Sequence, residues 1–239
     1  MIRETRLRSL LKSLSWRSAG TLVSTVIVFF VTRRWTLALA VGGVDATCKI
    51  ALFFLHERLW DKIRFGKHPV EPAVIWLTGL PGSGKSTLAA LVADAIRAKG
   101  LRAETLDGDS LRELLPQTGF SRSERESHIR RTALLARYLE KNGVFPVVSL
   151  ISPYEESRRF ARGLCRNFIE VHVATPLEVC EKRDPKGLYA KARRGELKDF
   201  TGVDAPYEIP VKPEIRVDTS RMSAEQAAGL ILKAAERFL

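Results

Sequence analysis

Ala73-Val-Ile-Trp-Leu-Thr-Gly-Leu-Pro-Gly-Ser-Gly-Lys-Ser-Thr87 decides how the chain is read. Residues 73–78 form a short apolar run with β-branched members, which predicts a buried strand. Residues 79–86 match G-x-x-x-x-G-K-[ST], the phosphate-binding P-loop. Glycines at 79, 82 and 84 let the backbone turn so that successive N–H groups point at phosphate oxygens, and the following helix adds its positive end. Its apolar positions Leu88, Leu91, Val92, Ala95 and Ile96 recur at helical spacing. The candidate nucleotide contacts are Gly79, Leu80, Pro81, Gly82, Ser83, Gly84, Lys85, Ser86 and Thr87. Lys85 is spaced to reach the β- and γ-phosphates, and Ser86 to ligate Mg²⁺.

Downstream, Lys99-Gly100 closes that helix, and Arg102–Leu106 reads as a second strand opening into Asp107-Gly-Asp109. Carboxylates just past a strand's carboxyl end stand at the ligand-binding edge of a parallel sheet. Asp107 and Asp109 can hold Mg²⁺ through water or take a proton from an attacking hydroxyl, with Asp109 the candidate site residue, and the plainer alternative is a turn with Asp109 as helix N-cap. Ser121-Arg-Ser-Glu124 is a capping box that starts a basic helix to Asn142. Strands are expected over 144–151, 168–174 and 213–218, and helices over 176–183 and 223–239. Residues 184–204 are rich in Lys, Arg and Gly and poor in core residues, the composition of a lid that clamps a phosphate on closing. The alternation predicts an α/β fold, a P-loop NTPase-type, mostly parallel sheet flanked by helices.

The 239 residues carry a net charge of +12, with a pI near 10.0. Much of the excess lies at the N-terminus beside apolar runs, which points to an anionic membrane surface. No aromatic-interleaved basic array or Cys/His finger spacing argues for nucleic acid. Cys48, Cys165 and Cys180 lack metal-like spacing and read as reduced residues.

Residues 1–68 read as a separate domain: a basic amphipathic segment over 2–16, then two apolar runs over 18–32 and 35–55. As helices the runs span roughly 22 and 32 Å, against a hydrocarbon core of about 30 Å. The second run carries Asp45 and Lys49, i, i+4 neighbours able to pair. With Arg33-Arg34 at the turn, this predicts a transmembrane helical hairpin in contact with membrane lipid. Arg3, Arg6, Arg8, Lys12 and Arg17 precede the runs, and Arg58, Lys62, Arg64 and Lys67 follow them. The positive-inside rule puts both ends in the cytoplasm, beside ATP, and makes the chain a multi-pass protein of the inner (cytoplasmic) membrane. A signal peptide, disfavoured by Arg33-Arg34, and a soluble helical hairpin are the alternatives.

The segment also resembles a small, uncharacterised bacterial two-helix membrane domain, through residues 7–17 and Leu55-His-Glu-Arg-Leu-Trp60. Residues 69–239 resemble adenylylsulfate kinase, which phosphorylates the 3′-hydroxyl of adenosine 5′-phosphosulfate (APS) with MgATP. The matching pieces include Leu106-Asp-Gly-Asp109 with Arg112, Gly119-Phe-Ser121, Ile129-Arg-Arg131 and Leu150-Ile-Ser-Pro-Tyr154. They continue in Arg183-Asp-Pro-Lys-Gly-Leu-Tyr189, Phe200-Thr-Gly-Val-Asp204 and Pro206-Tyr-Glu208.

The resemblance implies that Phe120 and Phe200 sandwich the APS adenine and that Arg112 and Arg125 hold its phosphosulfate. It places His128, Ile151 and Leu188 against substrate, Lys186 on the migrating phosphoryl and Arg183 against the ATP adenine. Ser152 falls where a phosphoserine intermediate is sometimes assigned, although direct in-line transfer needs none. Such kinases are often homodimers. Where the family has an asparagine and an arginine, this chain has His128 and Glu155, and the loop before Gly119 is one residue shorter. Two other readings are a kinase for another 5′-modified nucleotide and a non-catalytic nucleotide-binding membrane adaptor.

Overall fold

The computed structural model describes residues 71–114, 119 and 121–239. It also describes 2–4, 7, 11, 12, 14–16, 18–20, 23, 27, 30, 48, 49, 52, 53, 55–60, 62, 63 and 67–69. The chain divides into two compact units, Met1–Pro69 and Val70–Leu239.

In the first unit, strand β1 (Ile2–Glu4) pairs antiparallel with β2 (Lys67–Pro69), with Arg3 opposite His68. The helix expected over 2–16 therefore does not begin at residue 2, because a ladder partner takes up the backbone groups there. Residues 11, 12, 14–16 and 18–20 are helical, as are 48, 49, 52, 53, 55–60 and 62. These stretches meet through Lys12 and Glu57 at 2.6 Å, Ser15 Oγ and His56 Nε2 at 2.8 Å, and an edge-on contact of Trp16 with Phe53. Among the described residues no helix is long and apolar enough to cross a membrane. The Arg33-Arg34 turn and Asp45 lie outside the described residues.

The second unit is built on β3 (Val74–Thr78), β4 (Arg102–Asp107), β5 (Val144–Ser149), β6 (Phe168–Val173) and β7 (Ile215–Val217). They form one sheet in the order β4-β5-β3-β6-β7, every pair parallel. The central strand β3 is buried along its whole length. Its side chains alternate between the faces. Ile75 and Leu77 pack with Leu88, Val92 and Ile96 of α1 (Lys85–Ala98), and with Ala227 and Ile231 of α7 (Ala224–Ala234). Val74 and Trp76 pack with Ile129, Ala133 and Ala136 of α3 (Arg122–Lys141), and with Ala161 of α4 (Glu155–Leu164). Parallel strands buried on both faces require this three-layer arrangement.

Capping is local and legible. Ser121 and Glu124 form the expected box at the start of α3, and Ser223 with Gln226 repeats it for α7. The expected lid is not all loop. It contains α6 (Leu188–Arg193) and a small core of its own, in which Tyr189 and Ala192 pack with Phe200 and with Cys180 of α5 (Leu177–Arg183).

Candidate active site

Because all five strands run the same way, their carboxyl ends open onto one edge, and the ligand site of such a sheet belongs there. A cavity of about 640 Å³ occupies that edge, lined by the P-loop, by β4 and the α2 helix (Gly108–Leu114), and by the lid.

The P-loop leaves β3 against β6. A Cβ at Gly79 would lie 2.5 Å from the Val173 carbonyl oxygen, so only glycine lets the loop pass. Gly84 caps α1 at φ 94°, a left-handed conformation that favours glycine. Pro81, Gly82, Gly84, Lys85, Ser86 and Thr87 line the cavity. Gly79, Leu80 and Ser83 stand behind it: Leu80 packs against the lid core, and Ser83 is fully buried. Lys85 is 8% exposed, and its Nζ donates to the Leu80 carbonyl at 2.7 Å. Burial brings its pKa down to about 8, against the upward pull of Cys180, Asp109 and Asp107. An anionic phosphate beside it would raise that pKa again and favour the charged form.

Ser86 Oγ donates to Asp107 Oδ2 at 2.7 Å, and Ser149 Oγ donates to the same oxygen at 2.7 Å. The Asp109 amide donates to Asp107 Oδ1 at 3.0 Å. Burial pushes the Asp107 carboxyl up, but these bonds outweigh it and hold the pKa below the ordinary value. A hydroxyl and an ionised carboxylate are hard oxygen donors. That is the donor set suited to Mg²⁺, which takes one or two protein oxygens and completes its shell with phosphate and water. Of the two carboxylates of the Asp-Gly-Asp turn, it is Asp107 that meets Ser86.

Asp109, further out, pairs with Lys186 of the lid, and this contact pulls the Lys186 pKa up. Arg112 Nη1 donates to the Gly119 carbonyl at 2.7 Å. Arg125, 7% exposed, reaches the lid at Thr201 Oγ1 and the Asp199 carbonyl. Burial, then the Arg125 charge, lowers the Arg112 pKa, so this end of the cavity is primed for an anion. His128 is 1% exposed, with the Gly108 backbone as the hydrogen-bonding neighbour of its ring. Burial, then Arg112, lowers its pKa to about 4 and keeps the ring neutral. His128, Ile151, Ser152, Lys186, Leu188 and Phe200 all line the cavity. Phe200 lies edge-on to Tyr189, ring centres 5.0 Å apart. Phe120 lies outside the described residues.

Ser152 sits at φ 45°. Its Oγ accepts from Trp76 Nε1 at 3.0 Å, and its carbonyl accepts from Arg158 Nη1 at 2.6 Å. Thr78 Oγ1 donates to the Ile151 carbonyl at 2.7 Å, so Ile151 is locked to the strand that launches the P-loop. Arg183 also lines the cavity, and its guanidinium is tied to Thr219. Ser149, Thr175 and Thr219 were missing from the expected site, and Asp107 was read there only alongside Asp109. Asp107 had a sequence signal as the first carboxylate of Asp-Gly-Asp, and the others had none.

A strand–loop–helix with the P-loop spacing at the carboxyl edge of a parallel sheet, lining one cavity with Arg112, Arg125 and Lys186, has the fold of a P-loop kinase. The family Adenylylsulphate kinase matches residues 71–218, and the chain belongs to it. The chain is 49% identical over 170 residues to the probable adenylyl-sulfate kinase of Pyrococcus abyssi, covering 71% of this chain and 98% of that protein. Its fold is similar to the Mycobacterium tuberculosis APS kinase CysC in complex with AMPPNP and APS. That match has a TM-score of 0.68 at 42% identity, covering 70% of this chain and 99% of that one. A hexameric APS kinase from Thiobacillus denitrificans matches with a TM-score of 0.54 at 30% identity, over 71% of this chain and 29% of that one. The family Predicted membrane protein (DUF2061) matches residues 10–61.

Proposed function

We propose that this chain transfers the γ-phosphoryl group of MgATP to the 3′-hydroxyl of adenosine 5′-phosphosulfate, giving 3′-phosphoadenylyl sulfate and ADP, from a position anchored at the membrane. The observation that carries this reading is a single cavity with the P-loop at one end and Arg112, Arg125 and His128 at the other. Family membership and the relatives of known activity support the acceptor.

The donor phosphates lie along the P-loop, with Lys85 on the β- and γ-groups. Ser86 and Asp107 would hold Mg²⁺. When bound, the ion neutralises charge on the phosphate oxygens. Arg112 and Arg125 hold the acceptor's phosphosulfate dianion, which suits planar guanidinium groups. His128 and the Ile151 backbone contact the acceptor nucleotide, with Phe120 and Phe200 on its base and Leu188 beside it. The 3′-oxygen attacks the γ-phosphorus, the bond to the β-bridging oxygen breaks, and Asp109 takes the hydroxyl proton. Lys186 leaves Asp109 for the migrating phosphoryl group as the charge develops. Transfer is direct and in line, since Lys85 and Lys186, with Mg²⁺ when bound, supply positioning and charge without a serine nucleophile.

The kinase domain faces the cytoplasm, and residues 1–68 form the membrane hairpin with its basic flanks. The predicted-membrane-protein match supports this part, and carbonate-resistant pelleting of the full chain with membranes tests it. Self-association, as in the hexameric relative, belongs to the same reading.

The test of activity is ADP release from MgATP by the purified full chain. APS is expected to stimulate release strongly, and Lys85→Ala to abolish it. Slow hydrolysis indifferent to APS would overturn the acceptor, and an unchanged Lys85→Ala rate would overturn the site.

A further inference from the structure

Thr219, one residue beyond the family match, has no phosphate-loop motif around it. Yet its side chain joins three separate pieces of the donor end. Thr219 Oγ1 donates to the Ser83 carbonyl inside the P-loop at 2.9 Å. The same oxygen accepts from Arg183 Nη1 at 2.7 Å, while Arg183 Nη2 donates to the Thr219 carbonyl at 2.8 Å. Thr175, 3% exposed at the end of β6, lies 2.9 Å from Thr219 Oγ1 and 3.2 Å from the Ser83 carbonyl. The Thr219 methyl fills the space beside Gly84, 3.4 Å from where a Cβ would stand.

These contacts have two consequences. A trans peptide directs its C=O and the next N–H to opposite sides. Holding the Ser83 carbonyl against Thr219 and Thr175 therefore turns the Gly84 N–H toward the cavity that Gly84 lines. The second consequence concerns the base. Two bonds from one guanidinium to two oxygens of one residue fix its plane as well as its position. Arg183 is thereby presented to the cavity as a flat, oriented cation.

We propose that Thr219 is the positioning residue of the donor subsite, setting the phosphate grip through Ser83 and the base contact through Arg183. The inference rests on the proposed use of a nucleoside triphosphate donor and is independent of the acceptor.

The test is equilibrium binding to the full chain with Mg²⁺ and no acceptor. AMPPNP serves as the complete donor mimic and tripolyphosphate as the mimic without a base. Thr219→Val keeps the methyl and the shape but loses the hydroxyl. It is expected to weaken both probes, AMPPNP by roughly tenfold, as for a lost charge-assisted bond. Arg183→Lys is expected to weaken AMPPNP and leave tripolyphosphate unchanged. Thr219→Ser restores both. Wild-type binding of both probes by Thr219→Val overturns the proposal, as does a loss that Thr219→Ser does not restore. If Thr219→Val does not fold, Thr219→Ala takes its place under the same criteria. A wild-type chain that binds neither probe overturns the donor reading and the inference with it. A wrong acceptor leaves every one of these results unchanged.

Discussion

Ser86 Oγ donates to Asp107 Oδ2 at 2.7 Å, joining the first helical turn after the P-loop to the end of β4, on the far side of β5. Two hydroxyls and two amides converge on Asp107, so it stays ionised and oriented, as the proposed Mg²⁺ role requires. Asp107→Asn keeps the size and removes the charge. It is expected to lower kcat by about 10² and to raise the Mg²⁺ concentration needed for half-maximal rate. A magnesium titration of ADP release reads both. An unchanged Mg²⁺ requirement would move the metal role elsewhere.

Ser152 offers a contrast, since its buried hydroxyl already serves Trp76. Ser152→Ala leaves the indole N–H without a partner and is expected to cost about 1–3 kcal/mol of stability. Turnover should stay within about fivefold of wild type, because direct transfer needs no serine nucleophile. Urea melts and ADP release are measured together. Loss of turnover with a phosphorylated wild-type chain in the mass spectrum would restore the phosphoserine route.

Lys186 and Asp109 meet across the cavity mouth, but both are well exposed, and exposed pairs contribute little stability. Lys186→Ala should therefore leave the melting temperature unchanged. If Lys186 meets the transferring phosphoryl group, kcat should fall by about 10²–10³. Equal losses of rate and stability would mean that the lid lysine is only a structural strut.

His128 and His172 titrate far below their ordinary 6.5, each near 4, first because burial penalises the charged ring. Nearby arginines add to this: Arg112 and Arg131 for His128, Arg216 and Arg158 for His172. As pH falls from about 6.5 to about 4, the unfolded chain takes up protons that the folded chain refuses. Stability is therefore lost toward acid, by at most about 1.4 kcal/mol per histidine per pH unit. His172→Asn should remove part of that slope, read as the urea midpoint at about pH 7 and about pH 5. An identical slope would show that the ring titrates alike in the folded and unfolded chains.

What the chain declares by itself is local. The P-loop spacing, the capping box at Ser121 and the apolar run of β3 depend on residues within one or two turns of each other. Short-range sterics and hydrogen bonding decide such features, and they placed Lys85, Ser86 and the Asp-Gly-Asp turn correctly along the sheet edge. Only the tertiary structure decided which residues meet there. Strand order brings β5 between β3 and β4, which sets Ser149 on Asp107 and Trp76 on Ser152. It also carries Thr219 to Ser83, 136 residues away, and Thr201 to Arg125, 76 residues away. Threonine and serine hydroxyls are common and carry no periodic signal. They become part of the site when packing removes water from around them and leaves one partner within reach.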